Sequence, residues 1–360
     1  MNSNHPVITQ PEQATPEWLT QVLQRSGALP QGRVNQAQAE VATSYTSTIV
    51  RLRPTYSADA PETAPARLFL KLARLDSTQR VVGDERRRRE VELHNRLVSQ
   101  MPFPPVARCY DAAYSLETGA THLLFQDVSA THFSGDQAPE ACRAYWERAM
   151  DAFATWHAYW WDHPLLAQLD DRTPQEAAQS EVDGVSKCYP RFADAAADHL
   201  TPAYRNIYER VLRSLPRLLQ RVAGGTGLTL IHGDANPSNV LLPYDTRRDD
   251  ALIIDWQLWG VSYSTEDLSH LIALYWKKEQ REALERPLLM RYHAELVRHG
   301  VGHYDWADCW YDYRLAVIDR VLFMPMWFWN AGADSTEVWS SLGRAMQAFD
   351  DLHCEELLND

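Results

Sequence analysis

Apolar residues change their spacing along the chain near residue 125. Before that point they come in short runs set among threonines, serines and charges, the pattern of strands: Val41, Ile49, Val50 and Leu52 within Val34 to Pro54, R-L-F-L-K-L-A at Arg67 to Ala73, and runs at Ala107 to Tyr114 and Ala120 to Val128. Pro16 to Arg25 reads as an amphipathic helix, with Thr15 as N-cap, Pro16 at the first helical position and Gly27 as the stop. A second helix carries R-E-V-E-L-H-N-R-L and ends at Pro102 to Pro105. After residue 125 the period is helical. Tyr145, Ala149, Phe153 and Trp156 recur at steps of three and four within Pro139 to His163. Asp170 to Gly225 is polar, alanine-rich and helical, best from Ala203 to Val222. Further helices are expected at Ser264 to Tyr275, with a capping box from Ser264 to Asp267, and at Arg286 to His299, Trp306 to Trp329 and Thr336 to Leu358. Short apolar strands sit between them at Leu228 to Ile231, Val240 to Leu242 and Leu252 to Ile254. Short strands before residue 125 and mostly helices after it make this an α+β chain, and its length allows two lobes or domains.

Bulk composition narrows the function classes. A chain of 360 residues has room for two such lobes, and 45% hydrophobic with 23% charged residues is an ordinary globular balance. The net charge of −13 argues against a nucleic-acid partner, whose phosphates call for a basic surface. It suits a cationic substrate, or simple solubility. Five dispersed cysteines (Cys109, Cys142, Cys188, Cys309, Cys354) form no C-x-x-C pair and read as reduced thiols. M-N-S-N-H-P at the start lacks the basic-then-apolar pattern of a signal peptide. Leu315 to Trp329, the greasiest stretch, is interrupted by Asp319 and Arg320 and is too short to span a bilayer. A cytoplasmic protein without a membrane partner is expected, and no protein partner is legible.

The chemistry concentrates between Leu228 and Gln257. The apolar run ending at Ile231 delivers His232-Gly233-Asp234 into a loop, Asn239 follows Asp234 by five residues, and the strand ending at Ile254 carries Asp255. A lone H-G-D is weak. The spacing H-x-D-x-x-x-x-N, followed after a hairpin by I-I-D, is specific, because phosphoryl transfer needs a carboxylate to accept the substrate hydroxyl proton and an amide plus a carboxylate to hold Mg²⁺. Lys71, in the middle of an apolar strand, is costly to bury unpaired.

These residues resemble the catalytic and metal-binding loops of the aminoglycoside phosphotransferase / choline kinase superfamily. The H-G-D form, rather than H-R-D, separates that superfamily from protein kinases, and the resemblance is strongest to the ecdysteroid-kinase-like branch, where D-W-Q or D-F-Q stands in place of the protein-kinase D-F-G. It implies a protein-kinase-like two-lobed fold and an ATP- and Mg²⁺-dependent enzyme that phosphorylates a hydroxyl of a small molecule: an amino alcohol, an aminoglycoside-like or a sterol-like acceptor. It implies Asp234 as the catalytic base and Asn239 with Asp255 as the metal-holding pair. Lys71 would contact the nucleotide phosphates, paired to Glu90 or, as the second choice, Glu92. The turn A-T-S-Y-T-S-T would cover the phosphates through its backbone and through hydroxyls such as those of Thr43, Ser44, Thr46 and Ser47, although it lacks the family's glycine. A plain hairpin turn is the other reading. The run T-H-L-L-F-Q-D-V-S resembles the family hinge, so that backbone groups of Gln126, Asp127 and Val128 would meet the adenine; Gln126 stands where a glutamate is common. His157, in W-H-A, has no second histidine at metal spacing and reads as a core or supporting residue, and Asp267 as a buttress of the catalytic loop.

A catalytically silent kinase-like nucleotide-binding module is the alternative, favoured by the missing loop glycine alone. A serine hydrolase lacks its G-x-S-x-G elbow. Trp306, Trp310, Trp327 and Trp329, with Arg314 one turn from Trp310, either wall a flat acceptor pocket or pack as core.

Overall fold

The structure, a computed structural model, describes residues 6–43, 47–73, 80–139, 142–170 and 172–359, with backbone only over 80–84. In chain order the elements begin with α1 (Pro16–Arg25), β1 (Val34–Thr43), β2 (Ser47–Tyr56), β3 (Leu68–Ala73), α2 (Arg80–Glu92), β4 (Cys109–Tyr114), β5 (Thr121–Gln126) and β6 (His132–Ser134). They continue with α3 (Arg143–Trp160), α4 (Pro174–Ala195), α5 (Pro202–Leu218), α6 (Gln220–Ala223), β7 (Thr229–Ile231), β8 (Val240–Pro243), β9 (Leu252–Ile253) and β10 (Gly260–Ser262). The last are α7 (Thr265–Ser269), α8 (Lys278–Arg298), α9 (Trp306–Asp319), α10 (Met324–Asn330) and α11 (Ser335–Asp351). The chain divides into two compact units: Met1–Phe133 with Pro243–Asp245 and Leu252–Leu258, and Ser134–Leu242 with Thr246–Ala251 and Trp259–Asp360.

The first unit is built on a five-stranded antiparallel sheet in the order β1-β2-β3-β5-β4. Period-two alternation along β3 decides which side chains face which layer. Leu68, Leu70 and Leu72 point to one face and join Leu19, Val22 and Leu23 of α1, with Val50, Leu52 and Leu124, in one buried core. That helix starts as its sequence dictates: the Thr15 hydroxyl accepts from the Trp18 amide at 3.2 Å, and Gly27 leaves it at φ 72°. Lys71 belongs to the other face. It pairs across the strands with Ile49 and Leu123, and Leu123 packs with Val91 of α2.

The second unit is mostly helical. Helix α3 buries Trp146, Ala149, Phe153, Trp156, His157 and Trp160, and packs along α8. It is shorter than its sequence pattern: Trp161 leaves at ψ 116° and Asp162 enters the left-handed region at φ 49°. Strands β7 and β10 pair antiparallel. Trp156 Nε1 donates to the Leu230 carbonyl at 2.7 Å and Thr229 Oγ1 to the His157 carbonyl at 2.8 Å, so β7 is stitched to α3.

Two local expectations are corrected. The stretch Trp306 to Trp329 is two helices, broken at Arg320 (φ −110°, ψ −63°), because Pro325 is seated in the first turn of α10. In a helix interior proline would lose a hydrogen bond and clash with the preceding turn. Ser264 does not cap α7. It has helical dihedrals (φ −61°, ψ −31°) and makes no capping bond, whereas an N-cap needs extended backbone to turn its oxygen onto the helix amides.

Candidate active site

In the first unit Lys71 is the centre of an ionic cluster. Its Nζ donates to both Glu90 carboxylate oxygens, at 3.0 and 2.9 Å, and to Asp255 Oδ1 at 2.5 Å. Glu90 is 2% exposed, while Glu92, two residues along and so on another side of α2, pairs with Arg96 instead. Burial works against the Lys71 ammonium, but the charges of Glu90 and Asp255 outweigh it and hold its pKa above the ordinary lysine value. Burial, joined by the Asp255 charge, lifts the Glu90 carboxyl against the pull of Lys71. Asp255 itself has φ 64°, a left-handed conformation costly for a side-chain-bearing residue, and the turn is pinned by Trp256 Nε1 donating to the Ile253 carbonyl at 3.0 Å. Gln257 Nε2 reaches Asp255 Oδ1 at 2.9 Å and Glu90 Oε2 at 3.4 Å. Gln257 thus ties the D-W-Q turn to the Lys71–Glu90 pair, a contact that no local spacing in the sequence signals.

The expected adenine-binding backbone closes β5. The Gln126 amide donates to the Arg108 carbonyl at 2.8 Å, the Asp127 amide to the Arg67 carbonyl at 3.2 Å, and the Val128 carbonyl accepts from Thr131 and His132, both at 2.9 Å. Among the described residues, the Asp127 carbonyl and the Val128 amide have no hydrogen-bond partner. Of the expected phosphate-covering residues, Thr43 is exposed at the end of β1 and Ser47 is buried at the start of β2. Ser44 and Thr46 lie outside the described residues.

In the second unit β7 delivers the H-G-D loop, and the loop is held from several sides. Asp267 Oδ2 and Oδ1 accept from the backbone amides of His232 (2.7 Å) and Gly233 (2.9 Å), and Oδ2 also bonds His157 Nε2 at 3.1 Å. Burial alone would raise the Asp267 pKa; the bonds and charges of His157 and His232 outweigh it and keep the group below the usual carboxylate range. His157 in turn bonds the Tyr292 hydroxyl at 2.8 Å. Gly233 turns at φ 77°, which a side chain would strain, and its carbonyl accepts from Arg320 Nη2 at 2.6 Å. Asn239 then folds back through the turn Pro237–Asn239: its Nδ2 donates to the Asp234 carbonyl at 2.8 Å and lies 3.4 Å from Asp234 Oδ2. Asn236 Nδ2 donates to Oδ1 at 3.3 Å. Burial pushes the Asp234 carboxyl up, but the neighbouring His270, His232 and Asn236 together more than offset it, so the carboxylate stays below its ordinary range and is ionised at neutral pH. The turn sits on Gly135, where a Cβ would come 2.6 Å from the Pro237 carbonyl oxygen. Arg320, His270 and Gly135 were missed from the sequence; no local spacing links them to the loop.

The four tryptophans fall into two groups with different neighbours. Trp306 and Trp310 stack at 5.9 Å and Trp310 on Tyr313 at 6.0 Å. Trp329 meets Phe192 at 6.0 Å, and Trp327 borders Gly184. The cation over Trp310 is Arg286, at 5.5 Å, rather than Arg314, whose guanidinium is drawn to Glu356 at 2.7 Å. All five cysteines are free thiols, and burial pushes Cys309 and Cys354 up to about 12. Among the described residues no group of three or more His, Cys, Asp or Glu side chains is placed to hold a metal, and no helix is long and apolar enough to cross a membrane.

No curated protein matches the chain in sequence. Among solved structures it is similar to choline kinase LicA from Streptococcus pneumoniae, at 12% identity and a TM-score of 0.50, covering 93% of this chain and 98% of that one. It is likewise similar to aminoglycoside 2'-phosphotransferase-IIIa in its GDP complex, at 12% identity and a TM-score of 0.53, covering 93% and 99%. Identities this low establish the fold, which is α+β and protein-kinase-like, with an antiparallel sheet in the N-terminal part and a mostly helical remainder. The model of the ecdysteroid kinase-like family matches residues 90–301, more than half of the chain, a span that includes Glu90, the H-G-D loop, Asn239 and the D-W-Q turn. The chain belongs to the ecdysteroid kinase-like family.

Proposed function

We propose that the protein is a small-molecule kinase that transfers the γ-phosphoryl group of ATP, with Mg²⁺, to a hydroxyl of its acceptor. The observation that supports this most is the catalytic loop: Asp234 is held ionised, with its carbonyl tied to Asn239 and its flanking backbone locked by Asp267 and Arg320. In this reading residues 1–125 are the nucleotide-binding lobe and 126–360 the catalytic and acceptor-binding lobe, in a cytoplasmic enzyme.

Asp234 orients the acceptor hydroxyl and takes its proton. Lys71, fixed by Glu90, neutralises phosphate charge. The Asp127 carbonyl and Val128 amide meet the adenine edge, with Gln126 setting the end of the strand. Thr43, Ser44, Thr46 and Ser47 cover the phosphates. Asn239 and Asp255 suit Mg²⁺: both offer hard oxygens, and Asn239 Nδ2 is committed to Asp234, which leaves Oδ1 as its ligand atom. When bound, the cation neutralises charge on the phosphates. The transition state is largely dissociative, so positioning and electrostatics supply most of the rate.

The acceptor class follows from the relatives. Their names point to choline and aminoglycosides, the family's to ecdysteroids, so the acceptor is an amino alcohol, an aminoglycoside-like or a sterol-like alcohol. The test is a nucleotide-consumption screen against hydroxylated metabolites, amino alcohols, aminoglycosides and sterols, with Asp234→Asn as control. Acceptor-dependent ADP release by the wild type alone is expected. Nucleotide binding without turnover on any acceptor would favour the second reading, a silent nucleotide-binding module, which the glycine-free turn at 42–48 supports.

A further inference from the structure

His270 is a buried titratable group beside the Asp234 carboxylate. It is 1% exposed, and among the described residues neither ring nitrogen has a hydrogen-bond partner of normal geometry. A buried imidazole left in that state costs about 1–3 kcal/mol, which a merely structural position would shed by becoming apolar. Its surroundings indicate the use. Nε2 lies 3.4 Å from Asp234 Oδ1. The ring rests against Tyr275, with centroids 5.5 Å apart, which restricts its rotation.

The backbone supports the same placement. After α7 the helix widens into a π-helical turn over His270–Leu274, an uncommon conformation that concentrates at functional positions. Asp267 and His270 are three residues apart and so share a helix face. Asp267 holds the backbone amides of His232 and Gly233, while His270 stands at the side chain of the next residue, Asp234. One helix face therefore addresses both the frame of the catalytic loop and the group it presents.

We propose that His270 is a positioning residue for phosphoryl transfer: its Nε2–H donates to Asp234 Oδ1 and leaves Oδ2 as the oxygen presented to the acceptor hydroxyl. The inference rests on the reading of Asp234 as the base. Burial lowers the His270 pKa, more than the Asp234 and Asp267 charges raise it and with Arg320 adding to the lowering, so the ring is a neutral donor. Asn236, on the same oxygen, cannot replace it, because its amide belongs to the loop that has to be oriented.

Three variants and one spectroscopic measurement test the assignment. In the full chain labelled with ¹⁵N-histidine, NMR should show His270 as the neutral Nε2–H tautomer with a slowly exchanging proton, and Asp234→Ala should abolish that protection. A His270 found as the Nδ1–H tautomer, or unchanged by Asp234→Ala, overturns the proposal without any activity measurement. With an acceptor in hand, His270→Leu fills the space without a donor and should lower kcat about 10- to 100-fold, with KM for ATP and the melting temperature nearly unchanged. His270→Gln, which returns an N–H at similar reach, should recover most of the loss. Wild-type kcat in His270→Leu, or no recovery in His270→Gln, overturns it. A wild type inactive toward every acceptor overturns the kinase reading instead, and the NMR measurement still decides the hydrogen bond.

Discussion

Asp234, Asp255 and Asp267 are three carboxylates with different surroundings, and each has its own expected defect. Asp234→Asn keeps size and loop hydrogen bonding but removes the proton acceptor. Turnover should fall by orders of magnitude while Mg-nucleotide affinity stays within a few-fold, and undiminished turnover would remove Asp234 from its role. Asp255→Ala should weaken Mg²⁺-dependent nucleotide binding more than Asn239→Ala, since it deletes a charge rather than a dipole and also releases Lys71 from its 2.5 Å contact. Titrations in which the two variants lose equally would count against that assignment. Asp267 acts through the fold. It is almost fully buried and accepts three bonds, so Asp267→Asn should cost about 2–3 kcal/mol of stability. Its pKa is lower folded than unfolded, so this stabilisation is complete above about pH 4 and is lost as the pH falls through the folded value. Acid unfolding followed by circular dichroism should show the gap between wild type and variant narrowing below pH 4. A constant gap would mean the carboxylate's charge is not what stabilises the loop.

At the scale of elements, the H-G-D loop depends on what lies beneath it. Gly135→Ala would bring a methyl group within 2.6 Å of the Pro237 carbonyl oxygen, and backbone cannot yield as a flexible side chain would. The turn Pro237–Asn239 must shift, so kcat should drop by about tenfold or more and stability by about 1–3 kcal/mol. A variant with normal kcat would show that the turn tolerates displacement. The β1–β2 connection makes a second element-scale case. If it covers the phosphates, amide exchange at Thr43 and at Ser47 to Ile49 slows when ATP and Mg²⁺ are added. Exchange that ignores nucleotide would identify a plain hairpin turn.

At the scale of the whole molecule, the aromatic residues separate packing from recognition. Trp310 is layered between Trp306 and Tyr313 with Arg286 over its face, an arrangement that stabilises helices α8 and α9. Trp310→Ala should lower the melting temperature by several degrees and leave the acceptor's KM unchanged. The reverse pattern would place Trp310 in the acceptor site.

Much of the site was legible because its spacing is local. Asp234 and Asn239 are joined within one turn, and strand alternation alone sends Lys71 to the face opposite Leu70 and Leu72. The helix Pro16–Arg25 was legible for the same reason: its cap and first-turn proline, and its terminal glycine, each lie within two residues of the helix end they mark. The choice between Glu90 and Glu92 was not. Two residues along a helix are about 200° apart, and which of them meets Lys71 depends on how α2 lies on the sheet. His270, Arg320 and Gln257 were hidden for a related reason: they act on groups 36, 87 and 167 residues away. The sequence by itself determined which polar residues stand together in the H-G-D loop and the period of the elements, since both are written in neighbouring residues. Only the tertiary structure decided which cation, imidazole and amide stand beside the candidate site residues, because burial and long-range contacts exist only once the chain is packed.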